Sequence, residues 1–256
     1  MPTVQVPGVQ LEPRALVVVL PGFIYDADDL RDKGVADSIH RGWPDADVLL
    51  VGATYPYYRT GLLVPRLHEQ VIQPARRQGY REIWLAGGSM GGMGVLLYEW
   101  AHPGELTGIV LVSPFLGDDD LIDEIRKAGG PRDWNPGPPP PEMNRDNYQL
   151  HVWTMIKGWS QRPDLAKRAW LVCGTEDHLF PAVQVLAPEV PPGQYLARPG
   201  GHNWDFWLVV LEETFGKIAG ARQGAARMGS GQLSTPQGEH QSAARTRAWL
   251  RSQALL

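Results

Sequence analysis

One hydroxyl set among five glycines is the first feature of this chain that suggests chemistry. In LAGGSMGGMG, residues 85–94, Ser89 follows the short apolar run REIWLA. Glycine loses more backbone freedom on folding than any other residue, so crowding it around one serine needs a reason. Gly87-Gly88-Ser89-Met90-Gly91 fits the pattern G-x-S-x-G, with a strand expected before it and a helix after it. A nucleophile on so sharp a turn takes strained dihedrals, small flanking residues let the backbone close up, and the following helix aims its N-terminus at the reacting centre. A plain Gly-Ser loop or a phosphate-cradling turn is the bland alternative. The turn has no Lys near its end for phosphate, and the first strand carries no GxGxxG for a dinucleotide.

The elements that must position Ser89 show as apolar runs of strand length alternating with longer helical stretches. That alternation predicts a mainly parallel sheet covered by helices on both faces. The candidate strands are 15–20, 47–53, 82–86, 108–113, 170–173 and 194–197. Leu62, Val64, Leu67, Val71 and Ile72 recur at roughly helical spacing, GVLLYEWAH makes a short buried helix before Pro103-Gly104, and HNWDFWLVVLEETFGKI makes the last core helix. The segment 116–168 breaks the pattern with Asp118–Asp120, the helix-like DLIDEIRKAG, the spacer GPPPP and a second helix-like NYQLHVWTMIKGW. A long excursion between two strands predicts a small helical cap over the active face. One main domain is expected over 1–219. Residues 220–256, rich in Gly, Ala, Gln, Ser and Arg, read as a flexible or partly helical tail with SAARTRAWLRSQ as its candidate helix.

Composition narrows the partners. At 256 residues and 43% hydrophobic content the chain can bury a substantial single core. A net charge of −4 gives no basic field for nucleic acid or for an anionic membrane surface. The run ALVVVL is too short to span a bilayer and follows acidic and proline residues without a cationic leader, so neither membrane span nor signal peptide is expected and the location expected is cytoplasmic. A single cysteine, Cys173, excludes an intrachain disulfide and a cysteine-built metal site.

The elbow in its strand–turn–helix setting resembles the α/β-hydrolase superfamily, and the resemblance covers roughly Ala15 to Gly216. It implies an α/β-hydrolase fold with a mostly parallel sheet of about six to eight strands, flanked by helices. It also implies a base and an orienting acid for Ser89, in the chain order Ser, Asp or Glu, His. WLVCGTEDHLFP looks like the acid loop, with Asp177 at the matching place. Glu176, one residue away, and Asp118, after the preceding strand, are its rivals. His202, in the turn ARPGGHNWDFW after the last strand, is the candidate base. His178, beside the acid, is expected to point elsewhere, and His151 to lie on the surface or line a pocket. Acyl transfer also needs donors aimed at the developing oxyanion, worth about 3–4 kcal/mol each. The resemblance assigns these to the backbone N–H groups of Met90 and of Phe23 in LPGFIYD.

The ten tryptophans bear on substrate. Trp204 and Trp207 follow the base, while Trp134, Trp153 and Trp159 fall in the expected cap. An apolar pocket under that cap would place Trp153 and Trp204 on the substrate, although ordinary core packing accounts for the same residues. Tyr58, in TYPYYRTG, either meets a polar substrate group or decorates the rim. The reading is a serine hydrolase that cleaves a carboxylic ester of a small or medium apolar acyl or aryl substrate through an acyl-enzyme, without metal or organic cofactor. Acyl transfer, or cleavage of a thioester, amide or carbon–carbon bond, would use the same residues. A non-catalytic binding module would lack a triad member, and all three are present.

Overall fold

A run such as ALVVVL has no polar face to turn to water, so it belongs in the middle of a sheet covered on both sides. In the computed structural model, which describes residues 1–10 and 15–231, it is strand β2 (Ala15–Leu20) of seven. The others are β1 (Thr3–Val6), β3 (Asp47–Val51), β4 (Glu82–Gly88), β5 (Gly108–Val112), β6 (Ala169–Gly174) and β7 (Tyr195–Arg198). They pair in the order β1-β3-β2-β4-β5-β6-β7, antiparallel at β1 and parallel elsewhere. The edge strand β1 has no counterpart among the strands expected from sequence. Its four residues TVQV alternate exposed and half-buried, too short and too polar to stand out.

Register brings the site together. Leu20 at the end of β2 lies opposite Gly87, and Gly88 lies opposite Val112 at the end of β5. The loops that leave β2, β4 and β5 therefore emerge side by side at the carboxyl ends of parallel strands, where ligands bind open α/β sheets.

Helices cover both faces. In chain order they are α1 (Ala27–Asp32), α2 (Val35–Gly42), α3 (Tyr55–Arg59), α4 (Leu63–Leu67), a π-helical turn (His68–Ile72), α5 (Gln73–Arg77), α6 (Met90–Ala101), α7 (Asp119–Lys127), α8 (Tyr148–Gly158), α9 (Pro163–Ala166), α10 (Phe180–Leu186) and α11 (Trp204–Gly231). Val17 and Val19 point to one face and share a core cluster with Ile39 of α2, Trp43 just after it and Phe215 of α11. Leu16 and Val18 point to the other and meet Leu67, Leu96 and Trp153.

The excursion 116–168 belongs to this second layer. Trp153, Ile156 and Trp159 join the core beneath the sheet, and α8 lies against α6. Trp153 is fully buried, with its indole N–H donated to Leu116 O at 2.8 Å. Its side chain has no accessible surface to offer a substrate, because the helix that carries it needs that surface to dock.

Residues 1–219 form one compact unit and 220–256 a second, in which α11 continues as far as Gly231. The candidate helix SAARTRAWLRSQ lies outside the described residues. No described helix is long and apolar enough to cross a membrane.

Replacing Trp153 by Phe removes a buried hydrogen bond and part of a core ring. Urea unfolding of Trp153→Phe is expected to show a loss of about 1–3 kcal/mol.

Candidate active site

Ser89 sits between β4 and α6 at φ +54°, ψ −120°, a left-handed conformation that costs a non-glycine residue about 1–3 kcal/mol. Its surroundings fix that conformation. The Ser89 N–H donates to Val112 O at 3.0 Å, and Ser89 O accepts from Phe115 N at 2.9 Å and Gly92 N at 3.0 Å. The flanking glycines are required by contact. A Cβ on Gly87 would collide with the Gly91 carbonyl, and one on Gly91 would lie 2.5 Å from Leu20 O and 2.7 Å from Pro21 O. The first turn of α6 is thus pressed onto the end of β2.

That pressure brings the loop after β2 beside the serine. A Cβ on Gly22 would stand only 3.8 Å from Ser89 Cβ. The N–H groups of Phe23 and of Met90, the latter in the first turn of α6 where donors lack helical partners, enter no hydrogen bond among the described residues. The Phe23 ring is exposed and rests edge-on against Tyr55, with centroids 4.9 Å apart.

Asp177 and His202 meet across the loops that follow β6 and β7. His202 Nδ1 lies 2.9 and 3.1 Å from the two Asp177 oxygens. An ionised carboxylate only accepts, so Nδ1 carries a hydrogen, and in the neutral ring Nε2 is the nitrogen with the lone pair. Two glycines allow the approach, since a Cβ on Gly174 would collide with Gly200 O and Gly200 itself stands at φ +143°. The Asp177 side chain has no solvent exposure. Burial alone would raise its pKa, but the His202 bond, the Ser113 hydroxyl and the Leu179 N–H outweigh it and hold the carboxyl below its ordinary 3.8. The rivals are elsewhere. Glu176 is exposed, and Asp118 begins α7 paired with the Gln149 amide at 2.7 Å.

Comparison with known proteins comes from structure alone. No protein-family model matches the chain, and no curated protein does. Solved structures do. FphF, a fluorophosphonate-binding serine hydrolase of Staphylococcus aureus, aligns over 85% of this chain and 91% of its own with TM-score 0.58 and 13% identity. Est1E from Butyrivibrio proteoclasticus aligns over 84% and 90% with TM-score 0.57 and 17% identity. The S-formylglutathione hydrolase FrmB of Staphylococcus aureus aligns over 82% and 83% with TM-score 0.57 and 14% identity. The chain has the α/β-hydrolase fold.

Within this α/β-hydrolase fold, a small recess, open to solvent, adjoins the elbow. Gly22, Gly87 and Gly88 border it, and Leu30, Val35, Val112, Trp204, Trp207 and Leu211 give it apolar walls. None of residues 116–168 lines it, and its apolar walls come from the α1, α2 and α11 side. Trp207 links elbow and base: its ring lies 3.5 Å from where a Gly88 Cβ would stand and packs edge-on against His202 with centroids 4.8 Å apart. Trp204 stacks edge-on with Trp207 and with Tyr25. Tyr58 turns inward instead of toward the rim. Its hydroxyl is buried against Gly94 with no hydrogen-bond partner, and burial pushes its pKa up.

One residue near the site went unread in the sequence and another was misread. Ser113 closes β5 in a left-handed conformation, φ +43°, fully buried, with its hydroxyl between Asp177 and the Cys173 Sγ at 3.7 Å. A lone serine after an apolar strand is too common to flag. His178 does not point away: its exposed ring packs against His202 at 4.7 Å, with Nδ1 3.5 Å from Asp177 Oδ1. Asp177, His178 and His202 together present donor atoms within 4.8 Å of one another, so a metal ion there would compete with the Asp177–His202 bond. Cys173 is inert by burial, which lifts its thiol to about 12.

A carboxyl whose folded pKa is depressed contributes stability above its ordinary pKa and loses it as pH falls through the folded value. The stability difference between wild type and Asp177→Asn is therefore expected to be widest near neutrality and to narrow as pH drops below about 4, read by urea unfolding across pH. A difference that does not change with pH would mean that Asp177 is not held ionised.

Proposed function

We propose that this protein is a serine hydrolase acting on carboxylic esters with a short apolar acyl group. The observation that carries the reading is the strained Ser89 elbow sharing the Trp207 ring with a His202 whose Nδ1 is held by the buried Asp177. In this reading His202 Nε2 takes the proton of Ser89 Oγ as the oxygen attacks the acyl carbonyl. Asp177 keeps the required tautomer and offsets the charge on the imidazolium. The Phe23 and Met90 N–H groups hold the developing oxyanion. His202 then returns the proton to the leaving alcohol, and a water activated by the same imidazole releases the acyl group and restores Ser89.

The recess beside the elbow supports the acyl preference. Its walls are aliphatic and tryptophan side chains, and it is small, which favours short apolar acyl groups over long ones. The fluorophosphonate-binding neighbour supports the choice of test, since that reagent reports an activated serine.

Wild-type protein treated with a fluorophosphonate is expected to gain one adduct by intact mass, and Ser89→Ala none while keeping its fold. Asp177→Asn is expected to lower kcat for a short-chain p-nitrophenyl ester by up to about 10⁴-fold. Full activity in Asp177→Asn would overturn the assignment of the acid. No adduct on folded wild type would leave a binding module as the better reading.

A further inference from the structure

Helix α6 has Ser89 at its start and a second cluster at its end, about 18 Å away at 1.5 Å per residue. There His68, His102 and Glu105 bring one donor atom each within 4.8 Å of one another. They come from three separate places: the first residue of the π-helical turn, the cap of α6 and the loop before β5. We propose that His68, His102 and Glu105 form a binding site for one zinc-like divalent transition-metal ion, remote from Ser89 and structural in role.

The distances favour chelation. Glu105 Oε2 lies 3.3 Å from His68 Nδ1 and 3.6 Å from His102 Nδ1. Ligand atoms around tetrahedral zinc, each about 2.0–2.1 Å from the metal, stand about 3.3–3.4 Å apart. Two imidazoles and one carboxylate suit zinc or cobalt, whereas magnesium and calcium favour all-oxygen sets. All three side chains are between one-fifth and one-third exposed, which leaves a fourth position for water.

The surroundings supply the outer contacts such sites use. The Tyr98 hydroxyl, on a residue with no exposed surface, donates to Glu105 Oε2 at 2.6 Å and fixes that carboxylate. The Gln73 side-chain amide lies 3.0 Å from His68 Nε2. In the structure His68 Nδ1 donates to the Tyr98 hydroxyl oxygen at 2.9 Å; a half-turn of the Gln73 amide would present its oxygen to Nε2–H, so that the proton moves to Nε2 and the Nδ1 lone pair turns from Tyr98 to the metal. The π-helical turn also fits, since such single extra-residue turns cluster at functional positions.

A further rearrangement is required. The His68 and His102 rings are stacked, 4.1 Å between centroids and 6° between planes. In-plane lone pairs of parallel rings cannot meet at one point, so binding must tilt His102, which caps the helix and is partly exposed. Bound metal should therefore unstack the pair and tie the π turn to the end of α6.

The test uses the full chain, tag removed and stripped with chelator, titrated with cobalt(II) and then zinc(II). One equivalent of cobalt is expected to give the intense visible bands of a four-coordinate ion, discharged by one equivalent of zinc. His102→Ala and the near-isosteric Glu105→Gln, each checked for fold by circular dichroism, are expected to weaken binding by more than about tenfold. His202→Ala is expected to bind as wild type does. The proposal is overturned if wild type binds no zinc saturably, or if binding survives in both cluster variants, or if it disappears in His202→Ala, which would place the ion beside Asp177 instead.

Discussion

The close approach of two backbones at the elbow is the constraint on which the rest depends. Gly87 and Gly91 touch through backbone atoms, and Gly91 in turn meets the last carbonyls of β2. With side chains there, α6 would lift away from the sheet and Ser89 would relax from φ +54°. The first turn of α6 would then no longer lie beside the Pro21–Phe23 loop, and the two N–H groups assigned to the oxyanion would separate. Strain at Ser89 persists because its backbone hydrogen bonds and the parallel register of β2, β4 and β5 over-determine it.

Around that corner the electrostatics follow the same economy of contact. A buried carboxylate costs free energy unless its oxygens are satisfied. Asp177 meets His202, the Leu179 N–H and the Ser113 hydroxyl, and its depressed pKa records the balance. Ser113 takes its own left-handed conformation to stand there, so two strained serines end adjacent strands on either side of the proposed chemistry. Trp207 packs against both the elbow and the His202 imidazole, which couples the wall of the recess to the orientation of that ring. Helix α6 carries this arrangement at one end and the histidine pair at the other, and the long apolar body between them is held by α8.

The sequence determined the fold and the three residues proposed for the chemistry. Apolar runs without polar faces can only be central strands, and G-x-S-x-G between such a strand and a helix has few other uses, so β2 to β7 and the elbow were legible to within a residue or two. Chain order and turn residues then pointed to Asp177 and His202. What remained open was which of Glu176, Asp177 and Asp118 meets the histidine. Neighbouring residues in a loop point in different directions, and only the loop's path buries Asp177 while leaving Glu176 exposed.

Tertiary structure alone decided the pocket. Trp153 and Trp204 are the same residue type with similar helical settings, yet Trp153 is sealed in the core where α8 docks and Trp204 lines the recess. Tyr58 turned inward for the same reason, since Gly94 leaves room for its ring beneath α6. Ser113, the facing of His178 toward His202, and the meeting of His68, His102 and Glu105 depend on contacts between segments distant in the chain. Residue type and spacing encode which face of an element is apolar. They do not encode which apolar face another element will cover, because that is settled by the packing of all of them at once.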